Sequence, residues 1–157
     1  PKYATLRGTF GKRFMGEVNG SDKHFSFSIP ARKESRRLHL FESAIDLLSY
    51  GTLELLSGRD WRQEHYLSLA GIYMPKKIIK ESTPPAALMQ YLKDFPQIKE
   101  ITLHLDNDTA GRLAAKTIKT LLSRSYAIFD EPPKSGEDVN DYLKLVLGIW
   151  QSQECER

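Results

Sequence analysis

Hydrophobic and polar positions divide the chain into a short β-like start and a longer alternation of strands and helices. Residues 3–10, 13–19 and 24–29 are short runs rich in aromatic and β-branched side chains, punctuated by Gly11-Lys12 and by Gly20-Ser21-Asp22-Lys23. In the third run Phe25, Phe27 and Ile29 recur with period two, which puts them on one face of a strand. These runs predict a small antiparallel meander. Beyond residue 37 the period changes. Leu38-His39-Leu40-Phe41 reads as a buried strand, and residues 43–56 carry apolar positions at helical spacing. Residues 66–70 and 101–105 are further strands. Pro84-Pro85 suits a helix start that continues over 86–94. Residues 109–123 predict an amphipathic helix with an inward stripe of Ala110, Leu113, Ala114, Thr117, Ile118 and Leu121. Arg112, Lys116 and Lys119 fall on its wet face. A strand over 126–129 and a helix over 138–147 close the pattern. Strands separated by helices predict an α/β fold: a mostly parallel sheet flanked by helices, with a small N-terminal antiparallel β subdomain. The expected division is 1–36 for that subdomain, 37–148 for the α/β unit and 149–157 for a tail.

Composition adds bounds to this picture. At 157 residues and 40% hydrophobic the chain can bury a core without staples. The single cysteine, Cys155, excludes an intrachain disulfide and a cysteine-based zinc site, and fits a reducing, cytoplasmic setting. The four histidines (His24, His39, His65 and His104) lack zinc-ligand spacing and read as structural or surface residues. No apolar run is long enough to span a membrane. The chain opens on Pro1 rather than Met, as expected of a piece of a longer protein. A net charge of +3 tolerates a polyanionic partner without requiring one. The charged run from Arg32 to Arg37 reads either as a solvated linker or as a phosphate-contacting patch.

In open parallel sheets, sites form beyond the carboxyl ends of the strands. Three acidic features lie there. Glu42 follows the first parallel strand, and Asp46, four residues on, shares its helix face. Asp106 and Asp108 flank Asn107 at a later strand end and point to the same side. Gly136-Glu137-Asp138-Val139-Asn140-Asp141 follows the last strand. Each has a duller reading: Asp108 as a helix N-cap, Glu42 as a partner of a helix dipole, and residues 136–141 as a turn. Together, clustered carboxylates repel one another, and a divalent cation relieves the conflict. Mg²⁺ suits one or two carboxylates and leaves positions for water and phosphate.

At these residues the sequence resembles the Toprim family, shared by bacterial primases, topoisomerases, nucleases and repair proteins. Phe41-Glu42-Ser43-Ala44-Ile45-Asp46 is similar to the family's E-G-x-x-D segment, with Ser43 in place of the usual Gly. Asp106-Asn107-Asp108-Thr109-Ala110-Gly111 matches its D-x-D-x-A-G segment. Ser68-Leu69-Ala70-Gly71 resembles the strand end that primases place between the two. Residues 136–141 resemble a primase segment with a third acidic position, although Asn140 stands where an acid is frequent. The nearest resemblance is to primase-like Toprim proteins of plasmids and other mobile elements. It implies Mg²⁺-dependent (or Mn²⁺-dependent) nucleotidyl transfer, making RNA primers on a DNA template. The alternatives are a Mg²⁺-dependent nuclease and a non-catalytic DNA-binding module. It further implies Glu42 as general acid/base, Asp106, Asp108 and Asp138 as metal ligands, and Asp46 and Asn140 as supporting residues. Arg7, Lys12, Arg13 and Lys23 are candidate phosphate or DNA contacts, with solvated surface as the competing reading. The partners so implied are DNA and NTPs, an upstream zinc-binding module and a helicase, and no membrane.

Overall fold

The computed structural model describes residues 2–8, 14–69, 71 and 73–149, and nothing of the Met15 side chain. Its centre is a five-stranded sheet. In chain order the strands are β3 (Ser28–Ile29), β4 (Arg37–Phe41), β5 (His65–Ser68), β6 (Glu100–His104) and β7 (Ala127–Asp130). Their spatial order is β3-β5-β4-β6-β7, with β3 antiparallel at one edge and the other four parallel. Four α-helices accompany it: α1 (Ala44–Leu56), α2 (Ala86–Asp94), α3 (Thr109–Leu122) and α4 (Val139–Val146).

Alternation along each strand divides the interior into two layers. Leu38 and Leu40 of β4, Leu67 of β5 and Ile101 and Leu103 of β6 join Leu88 and Leu92 of α2 and Ala114, Ala115, Ile118 and Leu122 of α3. On the other face Phe41 and Tyr66 pack with Leu47 of α1 and Val139, the first residue of α4. The inner strands β4–β6 are covered on both faces and almost wholly buried, as a parallel sheet demands, whereas β7 at the edge is largely exposed.

The N-terminal runs form two shorter strands than the pattern suggests, β1 (Thr5–Arg7) and β2 (Met15–Glu17), paired antiparallel as a separate two-stranded sheet. The third run does not complete a meander. Only Ser28 and Ile29 are strand, and they join the main sheet against Tyr66 and Leu67. Burial explains the choice: Ile29 packs against the Phe41–Tyr66 layer. Pro30 follows at once and has no N–H to extend the ladder.

The inward stripe of α3 also differs. Gly111, Ala114, Ala115, Thr117, Ile118 and Leu122 are buried, whereas Leu113 is 43% exposed. The helix turns its glycine toward the sheet because Gly111 must pass close to the backbone of Asp106. Three histidines are buried in the layers and His24 is exposed, in keeping with structural and surface roles. His39 Nδ1 and His104 Nε2 lie 2.8 Å apart, and His104 Nδ1 donates to the Glu131 carbonyl at 3.0 Å. The run from Arg32 to Arg37 leads into the amino end of β4, a strand's length from Glu42. Arg37 there is ion-paired with Glu64 and Glu100, which fits a linker rather than a patch beside the acidic residues. Among the described residues no helix is long and apolar enough to cross a membrane.

Candidate functional site

The chain leaves β4 through α1 toward one face of the sheet and leaves β6 through α3 toward the other. The loops after these neighbouring strands therefore part, and a crevice opens between them. In the parallel register Phe41 pairs with His104. Glu42 is the next residue on one strand, and Asp106 is two beyond on the other. Paired strands run about 4.8 Å apart, so the first acidic segment is brought beside the second.

Local chemistry fixes each segment. Ser43 caps α1: its hydroxyl accepts from Asp46 N–H at 3.2 Å and donates to the Asp46 carboxylate. Asp108 caps α3, accepting from Gly111 N–H at 2.7 Å. Asp138 caps α4, accepting from Asp141 N–H at 2.7 Å. The capping reading of Asp108 is thus correct, Asp138 caps a helix where the sequence suggested a turn, and each of these bonds uses one carboxylate oxygen. Asn107 N–H donates to the Glu137 carbonyl at 2.7 Å, which ties the second acidic loop to the third.

Asp46 and Asn140 act as a joint between helices. Asn140 N–H donates to Asp46 Oδ1 at 3.4 Å, and Ser49 Oγ donates to Asn140 Oδ1 at 3.3 Å. Asp46 is buried, and this joint sets the start of α4, with Asp138, against α1.

The electrostatics single out Asp106. Its Oδ1 is buried and has no hydrogen-bond partner among the described residues. Burial pushes its pKa up to about 8, and the charges of Glu42, Asp46, Asp138 and Asp108 push in the same direction. Glu42 is raised as well, by burial first and then by Asp108, Asp46 and Asp138. Asp46 is raised by burial, against the lowering effect of the Ser43 hydrogen bond. Carboxylates from three separated segments therefore act on Glu42, Asp46 and Asp106. Among the described residues no group of three or more histidine, cysteine, aspartate or glutamate side chains is arranged to hold a metal ion. An ion such as Mg²⁺ needs only one or two carboxylates and takes water and substrate oxygens for the rest of its shell. An orphaned, buried carboxylate oxygen with a raised pKa is the local observation that fits a cation.

Two contributors to this geometry escape the sequence pattern. Arg112, assigned to a wet helix face, turns back to the loop: Nε donates to the Asp106 carbonyl at 3.1 Å and Nη2 to the Leu105 carbonyl at 2.7 Å. Its Nη1 binds both carboxylate oxygens of Asp130 at the end of β7, at 2.9 and 3.1 Å. The signal available in advance was its position four residues after Asp108, in the first turn of α3. Gly111 is the second. A Cβ there would lie 2.2 Å from the Asp106 carbonyl oxygen, so only glycine lets α3 approach the loop.

Of the candidate phosphate contacts, Arg7 lines a crevice that reaches the start of α1. Lys23 is exposed and lies 3.6 Å from Glu17. Lys12 and Arg13 lie outside the described residues, as does Cys155.

Residues 39–143 match a family model described as Toprim-like, a span that includes Glu42, Asp46, Asp106, Asp108, Asp138 and Asn140. No curated protein matches the chain. Among solved structures it is similar to the crystal structure of the primase fragment of the bacteriophage T7 primase-helicase protein. That likeness has 18% identity and a TM-score of 0.42, over 72% of this chain and 40% of that one.

Proposed function

The chain belongs to the Toprim-like family, and from that premise we propose that it is the catalytic unit of a primase-like enzyme, making RNA primers from NTPs on a DNA template with Mg²⁺ or Mn²⁺. The observation that carries this reading is Asp106: a half-buried residue whose enclosed Oδ1 has no hydrogen-bond partner among the described residues, crowded by four other acids. Left alone, this arrangement destabilises the fold, since like charges share a low-dielectric site. A divalent cation removes that cost. In the proposal Asp106, Asp108 and Asp138 hold it, and residues 37–148 form the unit that does so. When bound, the ion supplies positive charge to phosphate oxygens.

The remaining roles belong to the chain's own groups. Glu42 sits at the rim of the cluster with a raised pKa, which suits a group that takes a proton from an attacking 3′-hydroxyl and later releases it. Asp46 and Asn140 hold the third acidic segment in place. Arg7, Lys12, Arg13 and Lys23 are proposed to attract nucleotide or template phosphates. An upstream zinc-binding module and a helicase are proposed partners in a cytoplasmic replication system of a plasmid or other mobile element.

The test offers the protein single-stranded DNA, NTPs and Mg²⁺, with both RNA products and DNA cleavage measured. Primer synthesis that disappears in Glu42→Gln, with circular dichroism unchanged, is the expected result. Cleaved DNA without primers would reassign the site to phosphodiester hydrolysis. Undiminished synthesis by Glu42→Gln would remove Glu42 from the chemistry.

A further inference from the structure

A different concavity lies on the α1 side of the sheet, away from the acidic cluster. It is a crevice of about 530 Å³, within the ordinary range for a small-molecule pocket. Its floor is a single row across the sheet. Tyr66 of β5 pairs with His39 of β4, His39 with Thr102 of β6, and Thr102 with Phe129 of β7. His39 stands three residues before Glu42 on its strand, a separation of about 10 Å. Nearer the acidic cluster, Phe41 on the same face packs with Leu47 and Val139. Phe129, by contrast, belongs to neither core layer and is 45% exposed.

Two polar side chains of this row are almost completely buried and yet unpartnered. Tyr66 is 2% exposed and Thr102 is 3% exposed. Both line the crevice, and neither hydroxyl has a hydrogen-bond partner among the described residues. Buried hydroxyls are ordinarily hydrogen-bonded, so two in one concavity call for an occupant. His39 between them is already engaged at both ring nitrogens, by Glu64 and His104. The charges of the walls decide the sign of the occupant. Arg37 is paired with Glu64 and Glu100, and Arg59 with Glu54. Asp60 accepts from Gln63 and from Arg62 N–H. Glu131 lines the crevice with a carboxylate that is in no ion pair among the described residues. Burial first, and then neighbouring charge, raises the pKa of the Tyr50 and Tyr66 hydroxyls. Glu54, Glu131 and Glu64 outweigh Arg59 at Tyr50, and Glu64, Glu54 and Asp60 act with Tyr50 on Tyr66. The potential over the floor is therefore negative, and the occupant that fits is a cation.

We propose that this crevice binds a guanidinium group, which lies against the Phe129 ring, donates to the Tyr66 and Thr102 hydroxyls and pairs with Glu131. A guanidinium spreads its N–H donors over a plane, is weakly hydrated and stacks on aromatic rings. It thereby meets the hydroxyls, the ring and the carboxylate together. An ammonium is a compact, strongly hydrated point charge and satisfies fewer of them at once. An anion would need Arg37 or Arg59, and glutamates hold both. The chemistry is shared by a free guanidine compound and by an arginine side chain of a peptide. The inference stands apart from the reading of the carboxylate cluster after β4 and β6.

The test compares a guanidinium with its neutral counterpart. Ethylguanidinium and ethylurea are each titrated into the protein and followed by two-dimensional NMR of the backbone amides. Saturable shifts at Thr102, Phe129 and Glu131, absent or about tenfold weaker with ethylurea, are expected. Tyr66→Phe removes one hydroxyl and keeps the ring, and Glu131→Gln removes the charge. Each is expected to weaken ethylguanidinium about tenfold, and the dispersion of the remaining amide signals checks that each variant is folded. Agmatine and N-acetyl-arginine methylamide then separate the two sources. Whichever binds more tightly at the same amides names the source, and binding of either supports the site. No saturable binding of ethylguanidinium, an equal response to ethylurea, or an affinity unchanged in either folded variant would overturn the proposal. Shifts confined to Asn107 and Gly111 would also overturn it, because they place the cation in the acidic cluster. Inorganic phosphate that shifts the crevice amides and loses affinity in Arg59→Gln would reassign the crevice to an anion and so refute it.

Discussion

Gly111→Ala reverses an ordinary expectation. In the first turn of a helix, replacing Gly by Ala normally stabilises by about 0.5–1 kcal/mol, through lower chain entropy and better helix propensity. At Gly111 the added Cβ would stand 2.2 Å from the Asp106 carbonyl oxygen, 2.9 Å from its carbonyl carbon and 2.9 Å from its nitrogen. All three atoms are backbone, so no side chain can swing aside. Either α3 moves away from the sheet or the loop after β6 moves off its carbonyls. Forcing an extra carbon into a packed site costs about 1–3 kcal/mol. The clash therefore wins, and the net effect is a loss of about 1–2 kcal/mol, or roughly 2–8 °C in Tm for a domain of this size. The shift also carries Asp106 and the Asp108 cap away from Glu42, so the affinity for Mg²⁺ or Mn²⁺ falls as well. Denaturant unfolding with and without the cation measures both. A Gly111→Ala protein as stable as the parent, or more so, would refute the close approach of α3 to the acidic loop.

Other consequences follow from the same geometry. Asp106 has a pKa raised to about 8, so in the metal-free folded protein it keeps a proton that the unfolded chain has already released. Its contribution to stability is complete below the unfolded value near 4, and is lost as pH rises through the folded one. Asp106→Asn should flatten the fall in stability between about pH 4 and 8. With solvent screening at this part-buried site, the gain at pH 8 is about 1–2 kcal/mol without metal, and identical pH profiles for the two proteins would contradict it. Arg112→Gln removes the clamp on the Leu105 and Asp106 carbonyls and the pair with Asp130. It should cost about 1–3 kcal/mol in denaturant unfolding and speed amide exchange at Asn107, whereas unchanged exchange there would show that the loop holds its shape without Arg112.

Much of this was legible in the chain because the local signals agreed with one another. Alternation in β4–β6, Asp108 as a helix cap, and the helical spacing of α1 and α3 all pointed to the same elements. The acidic segments could be placed at strand ends, and parallel pairing then brought them together. What stayed hidden depends on contacts between distant parts. The choice of β3 for the main sheet turns on Ile29 finding the Phe41–Tyr66 layer, which period-two alternation cannot specify. The rotation of the α3 stripe follows from one glycine meeting one carbonyl. Arg112 looked solvated because its partners, Asp130 and the carbonyls of residues 105 and 106, come from other elements. The crevice over the Tyr66–Phe129 row has no sequence signature, since its residues line up only once the strands pair.

The central claim is that Asp106 and its neighbours are held together to receive a divalent cation. Calorimetric titration of Mn²⁺ and Mg²⁺ into the protein and into Asp106→Asn tests it most directly, at a pH above 8 where the parent carboxylate is ionised. Saturable binding in the parent, lost or weakened by at least tenfold in Asp106→Asn while the fold remains intact, is the predicted result. Equal affinity in the two proteins, or no binding to the folded parent, would contradict the account.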